Sequence, residues 1–409
     1  MTETVDTLIV GAGQAGLALS RLLAERGRDH LVVERGRVAE RWRSERWDSF
    51  RLLTPSWLTR LPGHAYRGPE PDGFLARDEV VAFFEGYARS FAPPLRTGVT
   101  VLDARRAGGR WQVATDRGTL RSRVLVAATG GLGHPVVPAG LATALPASLA
   151  QLHSSRYRRP DALPDGDVLV VGAGPSGQQI ARELAAAGRR VHLAVGRHRV
   201  LPRRYRGRDA YTWLDELGLL TAPAPEPRPR RRPAPGVVLA GGAGDLDLRI
   251  LAARGVVLHG RLVGVAAGRA VFADDLAASL RGAEANAARF RAHVDALLHQ
   301  RGGPPPREPA PWSAPRWALQ PPRTLDLAQV GCVIWATGFR PAFPWLPDAA
   351  LGPDGEPRHT RGVGVLPGLA FLGLRWQRHR TSHQIAGVGS DAAHLAVWIE
   401  RGALARAVA

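Results

Sequence analysis

Val168–Gly177, VLVVGAGPSG, decides the fold of this chain, because an earlier stretch, Leu8–Gly16, LIVGAGQAG, repeats it. A shift of 161 positions lays Gly11, Gly13 and Gly16 on Gly172, Gly174 and Gly177. The same shift lays Arg21, Leu23, Ala24, Gly27 and Arg28 on Arg182, Leu184, Ala185, Gly188 and Arg189, so a whole βαβ start is repeated. In such a unit the first Gly makes a tight turn, the second lets the backbone approach a pyrophosphate, and the third lets helix and strand pack closely. The phosphate then rests on free N–H groups at a helix N-terminus, where the dipole favours negative charge. A chain with 47 glycines throws up one such loop easily. Two copies, each preceded by an apolar run and followed by a helical pattern, are specific.

The copies differ where the second strand of each unit ends. LVVERG places Glu34 about twenty residues after the glycines, where a carboxylate accepts hydrogen bonds from ribose hydroxyls. In the second copy Val195 takes that position, and Gly196 and Arg197 follow in HLAVGRHR. Arg197, with Arg199, Arg203 and Arg204 close behind, is expected to bind a 2′-phosphate that an acid would repel. The first site therefore suits the ADP half of FAD, and the second suits NADPH. Gln14 and Ser176 inside the two loops, and Arg35 beside Glu34, join the expected cofactor-binding set. The expected fold class is α/β, with two doubly wound Rossmann-like dinucleotide-binding domains, the second inserted into the first. Residues 1–160 would form the first part of the FAD-binding domain, 164–324 the NADPH-binding domain, and 325–409 the second part of the FAD-binding domain.

The chain's 409 residues are enough for two or three domains with proper cores. All 55 basic residues are Arg and the formal net charge is +19, but the arginines are scattered and no nucleic-acid motif accompanies them. The charge is expected to steer anionic cofactors and substrates, not nucleic acid. Cys332 is the only cysteine, so no CxxC redox pair exists, and thioredoxin-reductase-type and lipoamide-type chemistry is excluded. MTETVDTLIV runs straight into the first strand without a basic leader, and no apolar run approaches membrane-spanning length. A cytoplasmic protein without membrane partner is the expectation.

Arg35–Trp57, RGRVAERWRSERWDSFRLLTPSW, places Trp42, Trp47 and Trp57 in a polar, Pro-ended stretch. They are expected to line a flat aromatic ligand, with Trp42 and Thr54 in the cofactor-binding set. Asp78–Phe91 reads as an amphipathic helix, and Gly98–Val126 as short strands of a crossover hairpin. VLVAA ends in Thr129-Gly130-Gly131 and CVIWA ends in Thr337-Gly338-Phe339. Each Gly there lets the backbone turn and a ligand come close, and the two places read as the crossings between the domains. Pro160–Pro164 reads as a linker, Ala222–Gly236 and Gly302–Pro322 as Pro- and Arg-rich loops, and Ala277–Gln300 as a helix. The last helix is expected to start near Ser390-Asp391, with Asp391 as its cap and its N-terminus facing the flavin.

Taken together, GAGQAG, ERWRSERWDSFRLLTPSW, ATGG, LHSSRYRRP, GAGPSG with VGRHRVLPRRYRGRD, WATGF and LGLRW…GVGSDAAHLA resemble class B flavoprotein monooxygenases of the flavin-containing monooxygenase type. They are similar in particular to the small bacterial oxidoreductases of that group. The resemblance implies tightly held FAD, reduction by NADPH, and oxygenation of a small-molecule substrate by O2 through a C4a-(hydro)peroxyflavin. The family's Phe-x-Gly-x-x-x-His-x-x-x-Tyr/Phe/Trp motif is half kept: His153 and Tyr157 fit, while Ala147 and Leu149 stand for its Phe and Gly. Tyr157 leans toward oxygenation at N or S, and His153 is expected to act as a hinge or linker residue. Where relatives carry an Asn near the flavin, the TPSW stretch offers Ser56, the one catalytic candidate that the resemblance implies. Baeyer–Villiger or oxidative-decarboxylating oxygenation, and an NADPH oxidase or reductase without oxygen transfer, are the alternatives. A nucleotide-sensing regulator is the non-enzymatic one. No metal-ligand spacing appears, and a homodimer is compatible with the sequence.

Overall fold

The computed structural model describes residues 2–131, 133–225, 237–240, 246–303 and 313–407. Two parallel sheets organise it. In the first, Leu369–Phe371, Gly118–Ala127, Thr2–Val10, His30–Glu34 and Leu95–Thr97 lie side by side and parallel. In the second the order is Ala150–His153, Val330–Trp335, Asp167–Val171, Val191–Ala194 and Val257–His259, again all parallel. The central strands are apolar on both faces, as strands covered on both sides must be. Leu8, Ile9, Val168, Leu169 and Val170 are fully buried.

The two units correspond strand for strand. In each, the glycine-loop strand is followed by a helix, Gln14–Ala24 or Pro175–Ala186, and then by the next strand outward. A meander follows, Val101–Ala107 with Arg110–Thr115 in the first unit and Leu262–Ala266 with Arg269–Phe272 in the second. The chain then returns beside the central strand, through Gly118–Ala127 or Val330–Trp335, and ends in Ala-Thr-Gly. The second unit carries an extra helix, Leu276–Gln300, between meander and return. By strand pairing that unit extends from Ala150 to Trp335, so the expected limits at 164 and 324 are too narrow. Its edge strand and its return strand lie outside them because the chain enters and leaves this sheet through neighbouring strands.

The two crossings pair with each other. Phe339 faces Pro135 and Arg340 faces His134 in a short antiparallel ladder, Thr337 Oγ1 donates to the Val136 carbonyl, and Val136 N donates to Gly338 O at 2.9 Å. His153 locks this link: its ring nitrogens meet Gly338 O at 3.1 Å and Ser155 Oγ at 3.0 Å. A linker role for His153 fits that geometry. Tyr157 is buried and donates to Glu183 Oε2 at 3.0 Å, inside the second core.

The helices Arg77–Phe91 and Leu276–Gln300 form as expected. The last helix does not start at Ser390: it runs Ile385–Ala407 and packs on Gln14–Ala24. Gly387 and Gly389, which read as loop residues, are needed for close approach, since a Cβ on Gly389 would stand 3.2 Å from Pro62 Cδ. Most of the Arg-rich loop lies outside the described residues; its first part, Ala222–Ala224, hydrogen-bonds to Arg378 and Arg380.

Candidate functional site

The site begins with two near-identical turns. Gly11 has φ +112° and Gly172 φ +111°, left-handed values that favour glycine. A Cβ at Gly11 would stand 2.8 Å from Ala128 O, and one at Gly172 2.5 Å from Ala336 O. Each first glycine thus sits against the Ala-Thr-Gly end of its return strand. A Cβ on Gly16 or Gly177 would collide with the carbonyl of Gly11 or Gly172. Gly13 and Gly174, which precede the helices, have nothing within 4 Å of a Cβ. That open space above a helix N-terminus is what a pyrophosphate requires.

Beyond the turns the units diverge. Half-buried Glu34 already braces the first loop, with Oε2 accepting from Ala12 N at 2.8 Å and Oε1 from Gly36 N at 3.0 Å. These two contacts hold its carboxylate in a fixed position. Thr129 Oγ1, at the end of the return strand, is buried without a hydrogen-bond partner, whereas Thr337 Oγ1 is engaged with the crossing. Gly130 and Gly338 both have left-handed φ, +77° and +88°. Arg197 is exposed and makes no hydrogen bond or ion pair among the described residues. Half-buried Ser176 is likewise unengaged.

Arg203 differs from the expectation. It is 6% exposed, pairs with Asp209 at 2.8 Å, donates to Leu53 O at 2.6 Å and lies 4.0 Å over the Phe74 ring. It ties the two units together and is not presented to a phosphate. Arg199 donates to Asn286 Oδ1 at 3.3 Å. Arg35 is largely exposed, 3.8 Å from Glu45.

The three tryptophans do not share one wall. Trp47 is buried in the second core beside Phe50 and Tyr157. Trp57 packs against the apolar cluster around Leu201 and Trp213. Trp42 is half-buried between Phe50 and Phe84, with the Arg46 guanidinium 5.3 Å above its ring, and burial pushes that guanidinium down to about 10. Thr54 is half-buried in the same segment. Ser56 is buried, and its hydroxyl donates to Gly73 O at 3.0 Å, which closes the loop.

Asp391 is not a cap. It lies in the helix interior, fully buried, with Oδ1 3.4 Å from His379 and 3.5 Å from Arg378, and with Oδ2 unpartnered. Gln14 is joined to this region, since its Nε2 donates to His383 O at 2.8 Å. His383 itself was missed in the sequence. Burial pushes its imidazole down to about 4, with Arg375 and His379 adding repulsion, and its Nδ1 has no partner. Tyr211, raised to about 12 by burial, and Arg375, lowered chiefly by burial, were missed too. They lie on loops and a short helix without periodic signal; only the quoted LGLRW stretch pointed there.

Two matching glycine turns, each between a parallel strand and a helix, give the chain two places with the geometry that dinucleotide phosphates require. Cys332 is buried in Val330–Trp335, and burial pushes its thiol up to about 11, away from the reactive thiolate. Residues 8–211 match the family described as Pyridine nucleotide-disulphide oxidoreductase. An uncharacterized CzcO-like oxidoreductase of Geobacillus kaustophilus is 31% identical over 97% of this chain and 98% of its own length. Indole-3-pyruvate monooxygenase YUCCA1 of rice is 34% identical over 51% of this chain and 52% of its own. A flavin-containing monooxygenase from Stenotrophomonas maltophilia has the same fold, with a TM-score of 0.68, 20% identity, and coverage of 98% of this chain and 99% of its own. The chain belongs to the family of the CzcO-like oxidoreductases. No helix among the described residues is long and apolar enough to cross a membrane.

Proposed function

We propose that the protein is an FAD- and NADPH-dependent monooxygenase that transfers one atom of O2 to a small organic substrate, at a nucleophilic N or S. The observation that carries this is the pair of matching cradles with opposite charge at their rims, Glu34 on one and, on the other, Arg197, which has no ion-pair partner among the described residues. When bound, FAD supplies the hydride-accepting and O2-activating chemistry. Gly11, Gly13 and Gly16 would receive its pyrophosphate, Glu34 the ribose, and Thr129 Oγ1 is an unpartnered group that such a ligand would satisfy. Gly172, Gly174, Gly177 and Ser176 would hold the pyrophosphate of NADPH, and Arg197 its 2′-phosphate.

The remaining work of the chain is positioning and exclusion of water. Gln14, through His383 O, fixes the last helix over the first loop, and the paired crossings hold the two sheets in register. His383 is kept neutral by its burial. Ser56 supports a turn in this reading and takes no chemical part. The rice relative's description as a monooxygenase supports oxygen transfer over plain reduction.

The test uses methyl p-tolyl sulfide as probe, 18O-labelled O2 and NADPH, with H2O2 measured in parallel. Label in the sulfoxide with little H2O2 fits the proposal. H2O2 equal to the NADPH consumed, with no labelled product from sulfide, amine or ketone probes, would assign an oxidase instead.

A further inference from the structure

Asp167, His192 and His259 form a relay of hydrogen bonds through the edge of the second sheet. His192, on Val191–Ala194, and His259, at the end of Val257–His259, share one face of these paired strands, since His259 is opposite Ala194, two residues after His192. Both rings are buried, and half-buried Asp167 opens the strand Asp167–Val171. His192 Nε2 lies 3.1 Å from Asp167 Oδ2, His192 Nδ1 lies 2.9 Å from His259 Nε2, and His259 Nδ1 lies 2.9 Å from Pro322 O.

These three contacts need one proton more than two neutral rings hold. A carbonyl oxygen only accepts, so Pro322 O requires a proton on His259 Nδ1. In a neutral His259 the other nitrogen then accepts, and His192 must donate to it from Nδ1. A neutral His192 is left with a bare Nε2 facing the Asp167 carboxylate, two acceptors at hydrogen-bond distance. All three bonds are made only when the relay carries an extra proton. That proton can sit on either ring with every bond kept, by a hop across the 2.9 Å link, or on Asp167, donated to His192. A second extra proton on the rings would set two N–H groups against each other at the link.

Burial pushes both rings down, His259 to about 4, and the Asp167 carboxylate pulls His192 back up, so the extra proton belongs to the Asp167 end. Arg190, with Nε 3.6 Å from Asp167 Oδ2, opposes it. Arg261 and Arg323, close to His259 and Pro322 in sequence, are paired with Asp275 at 3.5 Å and Asp274 at 2.8 Å. The Phe272 ring, stacked on His259 at 4.1 Å, covers it with apolar surface.

The far end of the relay meets the rim of the second cradle. His259 O accepts from Val195 N at 3.0 Å, and Gly196 and Arg197 follow directly. The residue that bears the last ring therefore also holds the backbone that carries Arg197.

We propose that Asp167, His192 and His259 are a one-proton switch: the proton completes the relay from Asp167 to Pro322 and braces the rim, and its loss parts His192 from Asp167 and loosens the rim. The proton count is independent of any cofactor; the consequence at the rim rests on the reading of this cradle as the NADPH site.

The switch is tested in the oxidised holoprotein, labelled with 15N at histidine and followed by NMR from about pH 5 to about pH 8, where imidazoles titrate. His192→Gln and His259→Gln assign the signals. Asp167→Asn is the decisive variant, because its amide can donate to the bare His192 Nε2 and make all three bonds without the extra proton. As pH falls, the wild-type pair is expected to take up one proton, with both rings responding together, and the pair in Asp167→Asn none. Wild-type rings that stay neutral throughout, that take up two protons independently, or that titrate unchanged in Asp167→Asn would overturn the switch. Calorimetric titration with NADP+ reads the rim. Wild type and Asp167→Asn should bind it alike at the acid end, and at the alkaline end wild type should bind about two- to tenfold more weakly, the size of one hydrogen bond. The nucleotide's own phosphate titration is common to both proteins and cancels. Equal affinities at both ends would overturn the link to the rim. No binding of NADP+ by either protein, with the proton uptake as expected, would count against the NADPH reading and leave the proton switch standing.

Discussion

The first and second glycine loops match in the conformation of their first glycine and in the obstacle behind their third, and differ at their rims. Gly11 and Gly172 share φ to within a degree, and Gly16 and Gly177 meet the same obstacle, because both loops solve the same steric problem. The rim is where function divides them: an acid braced by two backbone N–H groups on one side, an unengaged arginine on the other. A duplicated fold can keep its backbone chemistry fixed and assign its two ligands with single side chains.

The most severe way to break the comparison is to fill either open space. Gly13→Val should abolish flavin binding, seen as loss of visible absorbance from otherwise folded protein. Gly174→Val should leave the flavin in place and stop its reduction by NADPH. Loss of flavin from both variants would mean that the two loops do not have separate ligands.

Next in size is the rim. Arg197→Ala should weaken NADPH by about 10- to 100-fold, as expected for a charge-assisted contact, while NADH is unaffected. A variant that kept its full preference for NADPH would remove Arg197 from the phosphate site.

A smaller effect separates the flavin side through His383. Its folded pKa, about 4, lies below the unfolded value near 6.5, so between these pH values the unfolded chain binds a proton that the folded chain does not. Stability from this group is present above pH ~6.5 and is lost as pH falls toward 4, by at most about 3 kcal/mol. Thermal melting across that window should show the fall, and His383→Gln should flatten it. An unchanged slope would mean that His383 is not the buried neutral group described.

The smallest concerns Ser56. Ser56→Ala removes one hydrogen bond to Gly73 and should cost about 1 kcal/mol of stability, with the ratio of oxygenated product to H2O2 unchanged. A marked rise in H2O2 would restore Ser56 to the oxygen chemistry.

The glycine repeat and the helices Arg77–Phe91 and Leu276–Gln300 were legible because sterics and periodicity write them locally. The second half of the repeat was harder to read. Thr129 and Thr337 are 208 positions apart, not 161, because the inserted helix lies between meander and return strand. Arg203 was misread because a run of arginines looks alike whether or not a partner is near; here Asp209 arrives through a hairpin. Asp391 was misread because glycines that pack a helix against Pro62 and Thr381 imitate a loop.

The most direct test of the division of labour is anaerobic. The purified protein would be assayed for flavin per chain, then mixed with NADPH or NADH while the flavin absorbance is followed. One FAD per chain, bleached by NADPH at concentrations well below those needed with NADH, is the expected result. Two flavins per chain, or equal efficiency of the two nucleotides, would contradict the assignment of the two cradles.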